Sequence, residues 1–131
     1  MADPGPAAGD AAYERGLRVR REVLGDAHVD RALAGADDLT RPFQDLITRY
    51  AWGDVWGREG LERRTRSMLT LALLAALGHE HELAMHVRAA VQLGVTPAEI
   101  TEVLLHTAVY AGVPVTNRAL TIAREALADE G

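Results

Sequence analysis

The 131 residues carry a formal net charge of −5, 48% apolar and 25% charged side chains, and no cysteine. That length suits one compact domain. The acidic balance argues against a nucleic-acid surface, which needs a basic field. Without thiols, disulfides, thiolate metal sites and dithiol redox chemistry are excluded. The apolar run from Met68 to Leu77 is too short to span a bilayer. The N-terminus lacks a basic start ahead of an apolar core, so no secretory signal is read there and a cytoplasmic protein is expected.

Aromatics make up only 5% of the chain while Ala and Leu abound, which favours helices. Residues 1–10 are small, acidic and rich in Pro and Gly, and are expected to be a disordered tail. Residues 11–131 are read as one domain without repeats. A first helix is expected from about Ala11 to Leu24, stopped by Gly25, and a short second one from Asp26 through Val29 and Leu33. After a loop at Gly35–Leu39, Thr40 is placed to cap a helix that begins at Arg41-Pro42. Phe43, Leu46, Ile47 and Tyr50 follow at helical spacing, and the glycines of Trp52-Gly53-Asp54-Val55-Trp56-Gly57 are expected to break it up.

The stretch Leu61–Leu77 opens with Glu62, Arg63, Arg64 and Arg66 and turns apolar nearly all round from Met68. A helix apolar on every side must be buried on every side, which implies subunit packing in a chain this small. Gly78 ends it. The next helix spans about His79 to Leu93 and stops at Gly94. Thr96-Pro97-Ala98-Glu99 is a capping box with Pro at the first helical position, opening a helix to Ala111. A last helix after Val113-Pro114 carries Leu120, Ile122 and Leu127. No stretch alternates with period two, so the expected fold is all-α.

Chemistry concentrates in Gly78–His86, which holds three of the five histidines. At about 100° per residue, His79, Glu82 and His86 fall within about 60° of one another on a partly apolar stripe. Three readings fit: a solvated helix start with a satisfied histidine, a metal site, and acid–base chemistry by the i,i+4 pair Glu82 and His86. The zinc-protease spacing is missed by one residue, since His81-Glu82 is followed by His86. Arg63 and Ser67 lie one turn apart, flanked by Arg64 and Arg66. Arginines are not favoured at a helix start, which makes an anion-binding role worth weighing against a solvated turn. His106 and Tyr110 read as interior packing, and Trp52 and Trp56 as core or interface anchors.

The stretches Arg20–Asp30, Phe43–Leu61, Arg63–Ala90 and Gly94–Pro114 together resemble the carboxymuconolactone decarboxylase family, covering nearly everything after about Gly16. The resemblance implies an AhpD-like helical fold of about six to seven helices assembled into a ring, as a hexamer or trimer. The redox relatives in that superfamily carry a Glu, a Cys-x-x-Cys and a His. Here Ser67 stands at the Glu, His79 and Glu82 at the cysteines, and His86 at the His, so the thiol-dependent activity is excluded. His81 and the Glu82-Leu83-x-x-His86 element look typical of the lactone decarboxylase branch.

That branch implies loss of CO2 from 4-carboxymuconolactone to give 3-oxoadipate enol-lactone, in the protocatechuate branch of the β-ketoadipate pathway. No cofactor and no metal are expected, because the unsaturated lactone supplies its own electron sink. For that reaction the expected catalytic residues are His86, Glu82 and His81, and the expected substrate-binding residues are His79, Arg63, Arg66 and Ser67. The expected partners are a small dicarboxylate lactone and further copies of the chain, with no nucleic acid and no membrane. The alternatives are a noncatalytic ring-forming paralogue, or a decarboxylase or isomerase of a related lactone.

Overall fold

The computed structural model describes residues 7–130. Among them are seven α-helices, one π-helix and no strand, in agreement with the all-α expectation. The chain forms two compact units, one up to Leu61 and one from Glu62.

The first unit holds α1 (Ala7–Leu24), α2 (Asp26–Ala34), α3 (Arg41–Ile47) and the π-helix Thr48–Trp56. Helix α1 begins inside the stretch read as a disordered tail, and residues 1–6 of that tail lie outside the described residues. Thr40 stands before α3 but makes no side-chain cap. Asp37 organises this turn instead: its Oδ1 accepts from the Leu39 and Thr40 amides and from the Thr40 hydroxyl at 3.0–3.2 Å. These bonds hold the Asp37 carboxyl below its usual range, the Thr40 amide contributing most.

The chain is not broken at Gly53: Thr48–Trp56 winds as a nine-residue π-helix that ends at Gly57, with Trp52 and Trp56 rings 5.2 Å apart and Trp52 buried. The π-helix lies against α1 at a place where Gly16 is required. A Cβ on Gly16 would sit 1.9 Å from the Thr48 carbonyl oxygen. Beside this approach Arg20 is buried and donates from Nη1 to Thr48 Oγ1 at 3.2 Å, and that hydroxyl donates to the Gln44 carbonyl at 2.7 Å. Burial lowers the pKa of the Arg20 guanidinium.

The second unit holds α4 (Arg63–Leu77), α5 (Glu80–Gln92), α6 (Pro97–Ala111) and α7 (Val113–Glu130). Helix α4 packs on α5, α6 and α7, and α7 also covers α5 and α6. Leu71 of α4, Leu83 and Val87 of α5, Leu104 of α6 and Ile122 of α7 meet in one core. Gly78 stops α4 in the left-handed conformation (φ 77°), where a side chain would be strained. The capping box of α6 is complete: Thr96 Oγ1 accepts from the Glu99 amide at 3.1 Å, and Glu99 accepts from the Thr96 amide at 3.0 Å.

Helix α4 is not enclosed by its own chain. Ser67, Leu71 and Ala75 are buried, while Leu69, Leu73 and Leu77 along the opposite side are 51–67% exposed. His106 and Tyr110 also depart from the sequence reading. Their rings lie 5.3 Å apart, tilted by 45°, but both are exposed on α6, because the 3.6-residue repeat of that helix turns Leu104 and Thr107 inward instead.

Candidate active site

All seven sequence-derived site residues lie in the second unit: Arg63, Arg66 and Ser67 in the first turns of α4, His79 between α4 and α5, and His81, Glu82 and His86 on α5. The two helices form an antiparallel hairpin whose turn is set by Gly78. There the His79 amide donates to the Leu74 carbonyl at 2.9 Å, and the His79 carbonyl accepts the first α5 bond, from Leu83, at 2.9 Å. His79 is therefore the residue before the helix, with non-helical φ −86° and ψ 77°, rather than a member of its face.

The expected stripe divides by depth. His86 is only 8% exposed, with Nδ1 fully shielded, because it shares the inward side of α5 with Leu83, Val87 and Ala90. Glu82, one turn earlier, is exposed, as are His81 and His79. No three histidines and carboxylates among the described residues gather at metal-ligand spacing. The stripe thus offers one buried imidazole below a surface that carries a carboxylate and two further imidazoles.

The arginines of α4 separate into different roles that their spacing does not reveal. Arg64 is structural: it forms an ion pair with Glu99, and its Nε donates to the Gly94 carbonyl at 3.4 Å. Glu99, bonded by the Thr96 amide and then by Arg64, is held below the usual carboxylate range. Arg63 is half-buried. Arg66 is half-buried too, but its Nε is shielded and has no hydrogen-bond partner among the described residues. The adjacent Ser67 is fully buried, and its Oγ is likewise without a partner among them. Leaving such a donor unused inside a protein costs about 1–3 kcal/mol. Arg20 Nε and Gln44 Oε1 in the first unit are shielded in the same way.

Sequence reasoning missed one support of the stripe. Arg118 on α7 grips Glu80 with a fork, Nε to both carboxylate oxygens at 3.2 Å and Nη2 to Oε1 at 3.0 Å. This pair holds the Glu80 carboxyl down and ties the first turn of α5, between His79 and His81, to α7. Nothing local signals it, since the partners are 38 residues apart. A separate groove of about 470 Å³ runs between α4 and α6, lined by Thr65, Met68, Leu69, Ala72, Glu99, Glu102, Val103 and His106; none of the seven site residues lines it.

The profile of the carboxymuconolactone decarboxylase family matches residues 41–125, across both units and all seven site residues. The chain is 50% identical over 119 residues to a 4-carboxymuconolactone decarboxylase of Acinetobacter baylyi, covering 91% of this chain and 89% of that one. It is 44% identical over 117 residues to a nitrosuccinic acid decarboxylase of Metarhizium robertsii, covering 89% and 82%. A 4-carboxymuconolactone decarboxylase of Pseudomonas putida is 57% identical over 42 residues, which is 32% of this chain and 88% of that one.

Proposed function

Because the chain belongs to the carboxymuconolactone decarboxylase family, we propose that it is a carboxy-lyase that converts 4-carboxymuconolactone to 3-oxoadipate enol-lactone. The observation that carries the site assignment is the pair of buried, unused donors, Arg66 Nε and Ser67 Oγ, on the helix packed against the one that buries His86. A dicarboxylate substrate supplies the acceptors those donors lack.

The chemistry needs little from the protein. The departing carboxylate sits on the γ-carbon of an unsaturated lactone. As its C–C bond breaks, the electron pair moves through the ring double bond to the lactone carbonyl, giving a conjugated dienolate and CO2. A proton delivered to the α-carbon then gives the enol-lactone. Arg66, Ser67 and Arg63 hold the carboxylates, with His79 at the rim. His86, shielded from water, delivers the proton or donates to the dienolate oxygen, Glu82 orients it, and His81 assists. The reaction needs no cofactor in this scheme, because the substrate is the electron sink. It serves the protocatechuate branch of the β-ketoadipate pathway, in the cytoplasm.

The working form is a homo-oligomer, a hexamer or trimer. Leu69, Leu73 and Leu77 on α4 and Leu105, Val109 and Tyr110 on α6 are each at least half exposed. Apolar side chains left exposed on neighbouring helices are the kind of surface that subunit contacts cover. A chain that light scattering finds monomeric at assay concentration removes this part of the reading.

A second reading has one observation in its favour, the 44% identity to a nitrosuccinic acid decarboxylase. Nitrosuccinic acid is also a dicarboxylate whose leaving carboxylate sits next to an electron sink, there a nitro group that becomes a nitronate. Purified protein offered each acid separately decides between them by CO2 release. Faster release from the lactone, lost by about 10²-fold or more in His86→Gln, is the expected result. Inactivity on both acids, or full turnover by His86→Gln, overturns the assignment.

A further inference from the structure

The Arg64–Glu99 pair lies outside the residues that reach substrate, yet it is built into the same turn. On α4, Arg64 lies about 60° around the helix from Ser67 and two residues from Arg66. Its guanidinium is fixed on two sides at once, by the Glu99 carboxylate and by the Gly94 carbonyl. Glu99 is in turn fixed as the third residue of the α6 capping box. The start of α4 is thereby tied to the end of the α5–α6 loop and to the first turn of α6. Without that tie, three arginines within four positions would repel one another at the positive end of the helix dipole.

We infer that Arg64 is a positioning residue: locked between Glu99 and Gly94, it sets the rotation of the first turn of α4 and so the aim of Arg66 and Ser67. The inference rests on the proposed decarboxylase site, in which Arg66 and Ser67 hold substrate carboxylates. Arg64 itself touches no substrate. A guanidinium is needed because one group must reach a carboxylate and a carbonyl together from a planar fork, which an ammonium cannot reproduce. Glu99 serves both ends, as helix cap and as the anchor of Arg64.

The test uses the full-length protein and two independent readouts. Arg64→Met keeps much of the aliphatic stem and removes the fork. It is expected to lower kcat about 10- to 100-fold, as small misplacements do, with KM changed less than about threefold. Thermal stability should move by only a few degrees, since both partners are more than a third exposed at the side chain or nearly so. Arg64→Lys should recover only part of kcat. Adding Glu99→Gln, which keeps the cap, should leave Arg64→Met no worse, because the pair is already broken. Arg88→Met, which breaks an exposed pair with Asp129 in the same unit, should keep full activity.

The second readout needs no turnover. The Arg66 Nε–H is shielded in the native protein, and NMR of that group is expected to show slow hydrogen exchange that becomes at least about tenfold faster in Arg64→Met. Unchanged Arg66 exchange together with unchanged kcat in a folded Arg64→Met protein overturns the inference. If the wild type does not decarboxylate the lactone, the substrate reading fails by itself, and the Arg66 exchange rate still decides whether Arg64 sets the turn.

Discussion

Ser67→Ala is expected to make the protein more stable and less active at once. In the folded chain the side chain is fully buried and Oγ has no hydrogen-bond partner among the described residues. An unbonded buried hydroxyl costs about 1–3 kcal/mol, and removing the oxygen removes that cost. Alanine gains about another 0.5 kcal/mol in a helix interior. Against this, an oxygen-sized void costs about 0.3 kcal/mol at ~24 cal/mol per Å³. The sum is a stabilisation of about 1–3 kcal/mol, or about 3–4 °C in Tm for each kcal/mol at this chain length. The same change removes a donor to a carboxylate, worth about 1.5–3 kcal/mol, so kcat/KM should fall about 10- to 150-fold. Denaturation followed by circular dichroism and CO2 release on the same preparation give both signs. A lower Tm would mean that the hydroxyl holds the fold together. A rise in Tm with unchanged kcat/KM would remove Ser67 from the site.

Gly16→Ala should destabilise the first unit by about 2 kcal/mol or more despite a helix-propensity gain of about 1 kcal/mol, because its Cβ would lie 1.9 Å from a backbone oxygen that cannot swing away. Gly53→Ala, whose Cβ would meet nothing closer than 3.4 Å, should unfold near the wild-type temperature; equal losses from both would refute the close-approach explanation. Asp37, Glu80 and Glu99 all have folded pKa values below their ordinary ones, so they add stability above the unfolded pKa, near 3.8 for Asp and 4.5 for Glu, which is lost as pH falls through the lowered folded values. Melting curves from about pH 6 down to pH 3 should therefore flatten on the acid side in an Asp37→Asn, Glu80→Gln, Glu99→Gln triple variant, and an unchanged acid limb would contradict the cited bonds. Leu73→Asp, on the exposed side of α4, should reduce the particle size in light scattering while leaving helix content intact; an unchanged size would remove that face from the assembly.

What the sequence disclosed was whatever is written within one or two turns of helix. The stops at Gly25, Gly78, Gly94 and Gly112 and the capping box at Thr96 are local signals, and they stand within a residue or two of the observed ends. The π-helix escaped because its glycines were read as breaks. Gly16 is the small residue that lets α1 and the π-helix approach, a requirement set by a segment more than 30 residues away. Depth escaped for the same reason. A 3.6-residue period shows that His79, Glu82 and His86 are near in angle, but not that Gly78 detaches His79 from the helix or that the core covers only His86.

The four charged residues opening α4 show most clearly where local reading stops. Glu62, Arg63, Arg64 and Arg66 look alike as a polar run, and anion binding was a fair inference from their conflict with the helix dipole. The conflict is resolved by two different means. Arg64 is compensated from within the chain, by Glu99 on another helix, and so is removed from the candidates. Arg66 keeps a shielded donor with no acceptor among the described residues, and Ser67 beside it does the same. An internal ion pair and a shielded donor without an acceptor among the described residues answer the same sequence signal. Only the long-range partner tells them apart, which is why substituting Arg64 should disturb the aim of the site while substituting Arg66 should disturb its affinity.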